Sequence, residues 1–165
     1  MNNIKLIFML TLIAVLFASF ETFSLHAFQP ATKAAIQPDD IVLAVFVGRT
    51  PCREIADELK LAAPSDCFKM KWKITFYHDA VNNRPTTYTI DRTMARDQLL
   101  RGKWQILKGT AADADAVVYQ LTPEKGDEPM YFLKADDNIL FFLNKQRVLL
   151  AGNEQFSYTL NRVIP

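Results

Sequence analysis

The chain is poor in the residue types that usually carry chemistry. Only two cysteines and two histidines occur among its 165 residues. No Gly-x-Ser-x-Gly, His-Glu-x-x-His or phosphate-loop spacing is present, so the nucleophiles, metal ligands and phosphate cradles built on those spacings have no counterpart. Charge of one sign is lacking as well: 19 Lys and Arg against 18 Asp and Glu leave +1. Such a chain has no global field to steer nucleic acid or an anionic membrane toward it. The absences together predict a non-enzymatic protein with no cofactor and no nucleic-acid partner.

Two further absences concern the N-terminus. No cysteine precedes Cys52, whereas a lipoprotein places an acylated cysteine directly after its apolar leader, so no lipid anchor is expected. The one long apolar run, LIFMLTLIAVLFASF from Leu6 to Phe20, falls short of the roughly 20 residues of a membrane span. With Lys5 before it and Ala27 in a plausible cleavage position, it reads as a secretory signal peptide over residues 1–27. An uncleaved anchor using Ile4 to Phe20 is the rival reading. Export to the periplasm or beyond the cell is the expectation.

What remains is rich in apolar residues, half of the whole chain, enough to fill the core of one domain. Residues 28–40, FQPATKAAIQPDD, are short polar clusters with two prolines and no period, a flexible lead-in. The domain then occupies 41–165. IVLAVFVG, Ile41 to Gly48, has the length and continuity of a buried strand. In CFKMKWKITFY, Phe68, Met70, Trp72, Ile74 and Phe76 alternate with Lys69, Lys71, Lys73 and Thr75. That period of two predicts a strand with an aromatic core face and a solvated lysine face.

The polar break HDAVNNRP precedes β-rich TTYTIDR, which predicts a hairpin. MARDQLLRG then reads as a helical turn or a loop. Beyond it, apolar runs starting near Lys103, Val117, Met130, Ile139 and Phe156 alternate with Asp, Asn, Gly and Pro breaks. With starts near Ile41, Phe68 and Thr86 the count is eight sequential strands, which suits an antiparallel meander closed into an up-and-down barrel. One helix is predicted between strands 1 and 2, over Arg53–Ala63, with Ile55, Leu59 and Ala62 or Ala63 on one side. Thr50 would cap it, Pro51 open it and Pro64 stop it. Arg53, Glu54, Asp57 and Glu58 would border the barrel mouth beneath it.

Cys52 and Cys67 flank that helix. An even pair in an exported domain suits a disulfide, with redox-active thiols or a copper(I) site as the alternatives. For the metal reading His78 is too distant, eleven residues beyond Cys67 and about 36 Å away on a straight strand. No metal site is expected. Asp113, Asp115, Asp136 and Asp137 lack the glycine-centred spacing of a calcium loop and read as solvated turns. The aromatics Trp72, Phe76, Tyr88, Trp104, Tyr119, Phe141 and Tyr158 point to the barrel interior, where they form a packed core or line a pocket for an apolar ligand.

Several of these segments together resemble a known family. The strand leading into GRTPC, the lysine-alternating strand, GKWQI, VVYQL, MYFLKADDNILFFL and LLAGNEQFSYTLNRV are similar to the N-terminal domain of NlpE-like envelope proteins. The likeness covers about residues 41 to 163. It implies a small all-β barrel like that of bacterial lipocalins, and a place in envelope-stress signalling or copper resistance. The family's Cys-x-x-Cys motif is matched only by Cys52, since Ile55 stands at its second position. The sequence thus predicts a binding or sensing module whose partner is an unknown envelope protein or, in a lipocalin-like carrier, a small apolar ligand.

Overall fold

A computed structural model describes residues 40–93, 99–125 and 128–163. The expected signal peptide over 1–27, the lead-in apart from Asp40, and residues 94–98 of the MARDQLLRG stretch lie outside them. The elements in order are β1 (Asp40–Pro51), α1 (Cys52–Glu58), β2 (Lys69–Asp79), β3 (Pro85–Arg92), β4 (Leu100–Lys108), β5 (Val117–Pro123), β6 (Met130–Lys134), β7 (Ile139–Leu143) and β8 (Thr159–Val163). Each strand pairs antiparallel with the next, and β8 returns to β1 to close an eight-stranded barrel. The all-β meander with one short helix between its first two strands is the predicted architecture.

The strongest alternation in the sequence builds the longest pairing. Eleven Cα pairs join β1 to β2, with Met70, Trp72, Ile74 and Phe76 buried inside and Lys69, Lys71 and Lys73 exposed outside. Phe68 departs from the predicted pattern. Because β2 starts at Lys69, Phe68 sits in the preceding loop and is 60% exposed. The last strand also starts later than predicted, at Thr159 instead of Phe156. Asn153 is the cause: its side-chain oxygen accepts from the N–H groups of Gln155 and Phe156 at 3.0 and 2.9 Å, which holds that segment in a turn.

Close approach of backbone and ring explains one glycine. A Cβ on Gly102 would lie 2.1 Å from the Thr122 carbonyl and 2.8 Å from the Tyr88 ring. Only glycine lets that fully buried ring lie over β4.

The helix is shorter than predicted. It spans seven residues, and Lys60 beyond it adopts φ 53°. Leu61 N–H donates to the Ala56 carbonyl at 2.7 Å and Lys60 N–H to that of Asp57 at 3.3 Å. These paired bonds are a Schellman stop, usually made by glycine at the left-handed position; here it precedes the predicted end at Ala63. Cys52, Ile55 and Ala56 are the buried side of the helix.

Thr50 does not cap α1, whose N-cap is Pro51 without a side-chain bond. Its hydroxyl instead accepts from the Trp72 indole N–H at 2.9 Å, both groups buried. A strand position facing the interior has no access to the helix N–H groups, so the hydroxyl serves the indole. Thr50→Val keeps the shape and removes the acceptor, leaving a buried N–H without a partner. The expected loss is about 1–3 kcal/mol, read as a lower urea midpoint with an unchanged slope.

Candidate functional site

The barrel interior is filled by side chains. Six of the seven aromatics predicted there, Trp72, Phe76, Tyr88, Trp104, Tyr119 and Tyr158, are buried. The seventh, Phe141, belongs to the other face: it pairs with Leu133 and Thr159 and is partly exposed. Phe142 takes the inner position, with its ring 4.6 Å from Phe132, 5.2 Å from Trp72 and 6.3 Å from Tyr158. Around the other end of the interior, Phe76 meets Phe46, Trp104 and Tyr119 at 5.9, 4.9 and 5.4 Å. These are edge-to-face spacings that favour aromatic pairs. The Trp104 indole N–H donates to the Tyr77 carbonyl at 2.8 Å, so both indoles have acceptors.

Near the helix-bearing end, Leu59, Leu61, Trp72, Leu100 and Met130 enclose a space of about 20 Å³. Small-molecule sites usually occupy ~300–1,000 Å³. Away from that space Phe76 and Tyr88 are fully buried, and with Trp72, Trp104, Tyr119, Phe142 and Tyr158 they belong to one packed hydrophobic core.

Burial drives the Tyr158 phenol up to about 12, helped by the carboxylates of Glu54 and Glu58. Burial also raises the Tyr119 phenol. A raised phenol stabilises the fold while it stays neutral. That contribution is whole below the unfolded value of about 10 and is lost as pH rises through about 12. An ultraviolet phenolate titration should show a late step near pH 12 that Tyr158→Phe removes; the step remaining in that variant would contradict the assignment.

The helix-bearing end is held by covalent and ionic ties. Cys52 and Cys67 form a disulfide with Cα atoms 5.6 Å apart. Glu128, before β6, meets Lys60 beyond α1 at 2.5 Å and Lys145 after β7 at 2.8 Å. Hydrogen bonds from these two lysines hold its carboxyl at about 2. Three of the four aspartates weighed as calcium ligands have carboxylates engaged locally. Asp113 and Asp136 accept from the N–H groups of Asp115 and Asn138, and Asp137 pairs with Lys134 at 2.6 Å. Among the described residues no three His, Cys, Asp or Glu side chains gather as a metal site.

The outer surface carries the open concavities. β8 pairs with β1 only over Val45–Gly48, whereas β1 continues to Pro51. Beyond that seam lies a groove of about 580 Å³, lined by residues including Val47, Arg49, Lys71, Gln155 and Phe156, with Trp72 among its lining. A second hollow of about 480 Å³ shares Gln155 and is lined by Arg53, Glu54, Asp57, Cys67, Phe68 and Asn153. Three of the four charged residues predicted to border the mouth thus line a surface hollow. Phe68 and Phe156, 5.2 Å apart and nearly perpendicular, stand where the two meet. Sequence reasoning missed this groove because its walls come from β1, β2 and the 153–157 turn. Phe68 continues the β2 alternation in the sequence, so its exposure carried no local signal.

No protein-family model, curated protein or solved structure matches the chain.

Proposed function

We propose that this is an exported, non-enzymatic barrel of the NlpE-like type, a module that binds or senses a partner in the cell envelope through its outer surface. A role in envelope stress or copper homeostasis belongs to the same reading. The filled interior carries it. With Phe76, Tyr88, Phe132 and Leu160 fully buried, a carrier of apolar ligands would lack a cavity. Recognition then falls to concavities outside the barrel. Copper(I) handling would require thiolates, and with Cys52 and Cys67 bonded to each other that chemistry begins only after reduction.

Native mass spectrometry of the protein secreted by its own host tests this reading. The expected species is the unliganded chain with its disulfide intact. A stoichiometric apolar molecule carried through purification would replace the binding module with the lipocalin-like carrier.

A further inference from the structure

We propose that the groove over the β1–β8 seam binds an extended peptide segment bearing acidic side chains. This rests on the surface-binding reading above and names its partner chemistry. The first support is the strand edge. β1 has β2 along its whole length on one side, but on the other its pairing with β8 stops at Gly48. An open edge of this kind is a template for strand addition, in which main-chain bonds supply affinity and alternate side chains supply specificity. From Arg49 to Pro51 the edge offers about 7 Å of extended chain, and the hollow beside α1 prolongs it.

Charge is the second support. Arg49 stands opposite Lys71 in the β1–β2 register, with Lys73 opposite Val47 and Lys69 opposite Pro51. All four cations are exposed, and the ion pairs among the described residues involve none of them. Arg49 and Lys71 both line the groove, so carboxylates entering there meet two cations that form no ion pair with another described residue. Aromatic surface is the third support. Phe68 is 60% exposed and packs edge-on against Phe156, presenting rings of the sort that anchor peptide side chains.

These features suit an acidic peptide better than a polyanion. A net charge of +1 gives little of the long-range attraction on which nucleic-acid binding depends. Glu54 and Asp57 in the adjoining hollow would repel a continuous run of phosphates. A peptide can set a carboxylate on Arg49 and Lys71, an apolar side chain against Phe68 and Phe156, and a neutral or basic residue near Glu54.

Selection from a displayed library of random short peptides on the oxidised domain tests the proposal, followed by titration of the enriched sequences. Enriched peptides are expected to combine Asp or Glu with a nearby aromatic or aliphatic residue, and to bind more weakly as salt rises. The double variant Arg49→Glu, Lys71→Glu should weaken them by at least about tenfold, and Phe68→Ala should also weaken them. Lys103→Glu, one such charge reversal on the outer face of β4, should leave affinity unchanged. Failure to enrich any sequence would overturn the groove, as would enriched sequences without acids. Equal binding of inorganic phosphate or of phosphatidylglycerol vesicles would assign the cations to small anions or to lipid. Peptides whose binding survives the double variant would move the site elsewhere while leaving the surface-binding reading intact.

Discussion

Phe76→Ala is expected to cost the domain about 3–5 kcal/mol, the largest effect of any single truncation considered. Domains of this size are stable by about 5–15 kcal/mol, so the variant should sit near the edge of folding. The cost arises because one fully buried ring serves three others: Phe46, Trp104 and Tyr119 all lie within 5.9 Å of its centroid. Removing it forfeits transfer energy and dispersion contacts, and the barrel walls, fixed by main-chain bonds on both sides of β2, have little freedom to close the gap. Phe76→Leu should lose less because it leaves a smaller cavity. Urea unfolding checks both values. A loss below about 1 kcal/mol for the alanine variant would mean that the interior is loosely filled, and the carrier reading would gain ground.

The same variant links packing to function. A cavity made by truncation and lined by apolar groups stays dry and accepts small apolar molecules. Phe76→Ala, if folded, should bind a benzene-sized probe that the parent protein rejects. A barrel that already carried apolar ligands would bind the probe in both forms.

Period-two alternation in β2 and the regular polar breaks made the barrel legible, because both follow from local chain geometry. Which of two adjacent rings faces inward was not legible. In ILFFL either Phe141 or Phe142 satisfies an apolar run. The choice falls to Phe142 through pairing with Phe132 and proximity to Trp72 and Tyr158, contacts distant in sequence. The helix end escaped for a different reason. Leu59, Ala62 and Ala63 continue a helical period, but Lys60 takes a left-handed conformation that helix propensity disfavours and tertiary context imposes.

The candidate groove lay further from view. Its cations are ordinary solvated lysines when β2 is read alone, and Arg49 falls just past the buried strand predicted over Ile41–Gly48. Only the register that sets Arg49 against Lys71, and the turn that carries Phe156 to Phe68, brings them to one place. Pairing across strands and the late start of β8 are tertiary facts with no local sequence signal.

Replacing both cysteines, Cys52→Ala with Cys67→Ala, is the other change expected to have a large effect. The bridge closes a loop of 15 residues, for which constraint of the unfolded chain is worth about 3 kcal/mol. Buried Cys52 adds a small packing loss when its sulfur goes. A fall in the thermal midpoint of about 10 °C or more should follow. Alanine suits this test better than serine, which would bury a hydroxyl at a position without solvent. Thiol titration in denaturant without reductant should find no free thiol in the parent, and two free thiols would return Cys52 and Cys67 to metal or redox chemistry. The loss should also be felt outside the core. Cys67 fixes the residue next to Phe68, and Phe68 and Phe156 form the aromatic part of the groove. The cysteine-free domain should therefore bind selected peptides more weakly even at temperatures where it is fully folded. Unchanged affinity there would show that the Phe68–Phe156 contact holds without the bridge, and would confine the disulfide to stability.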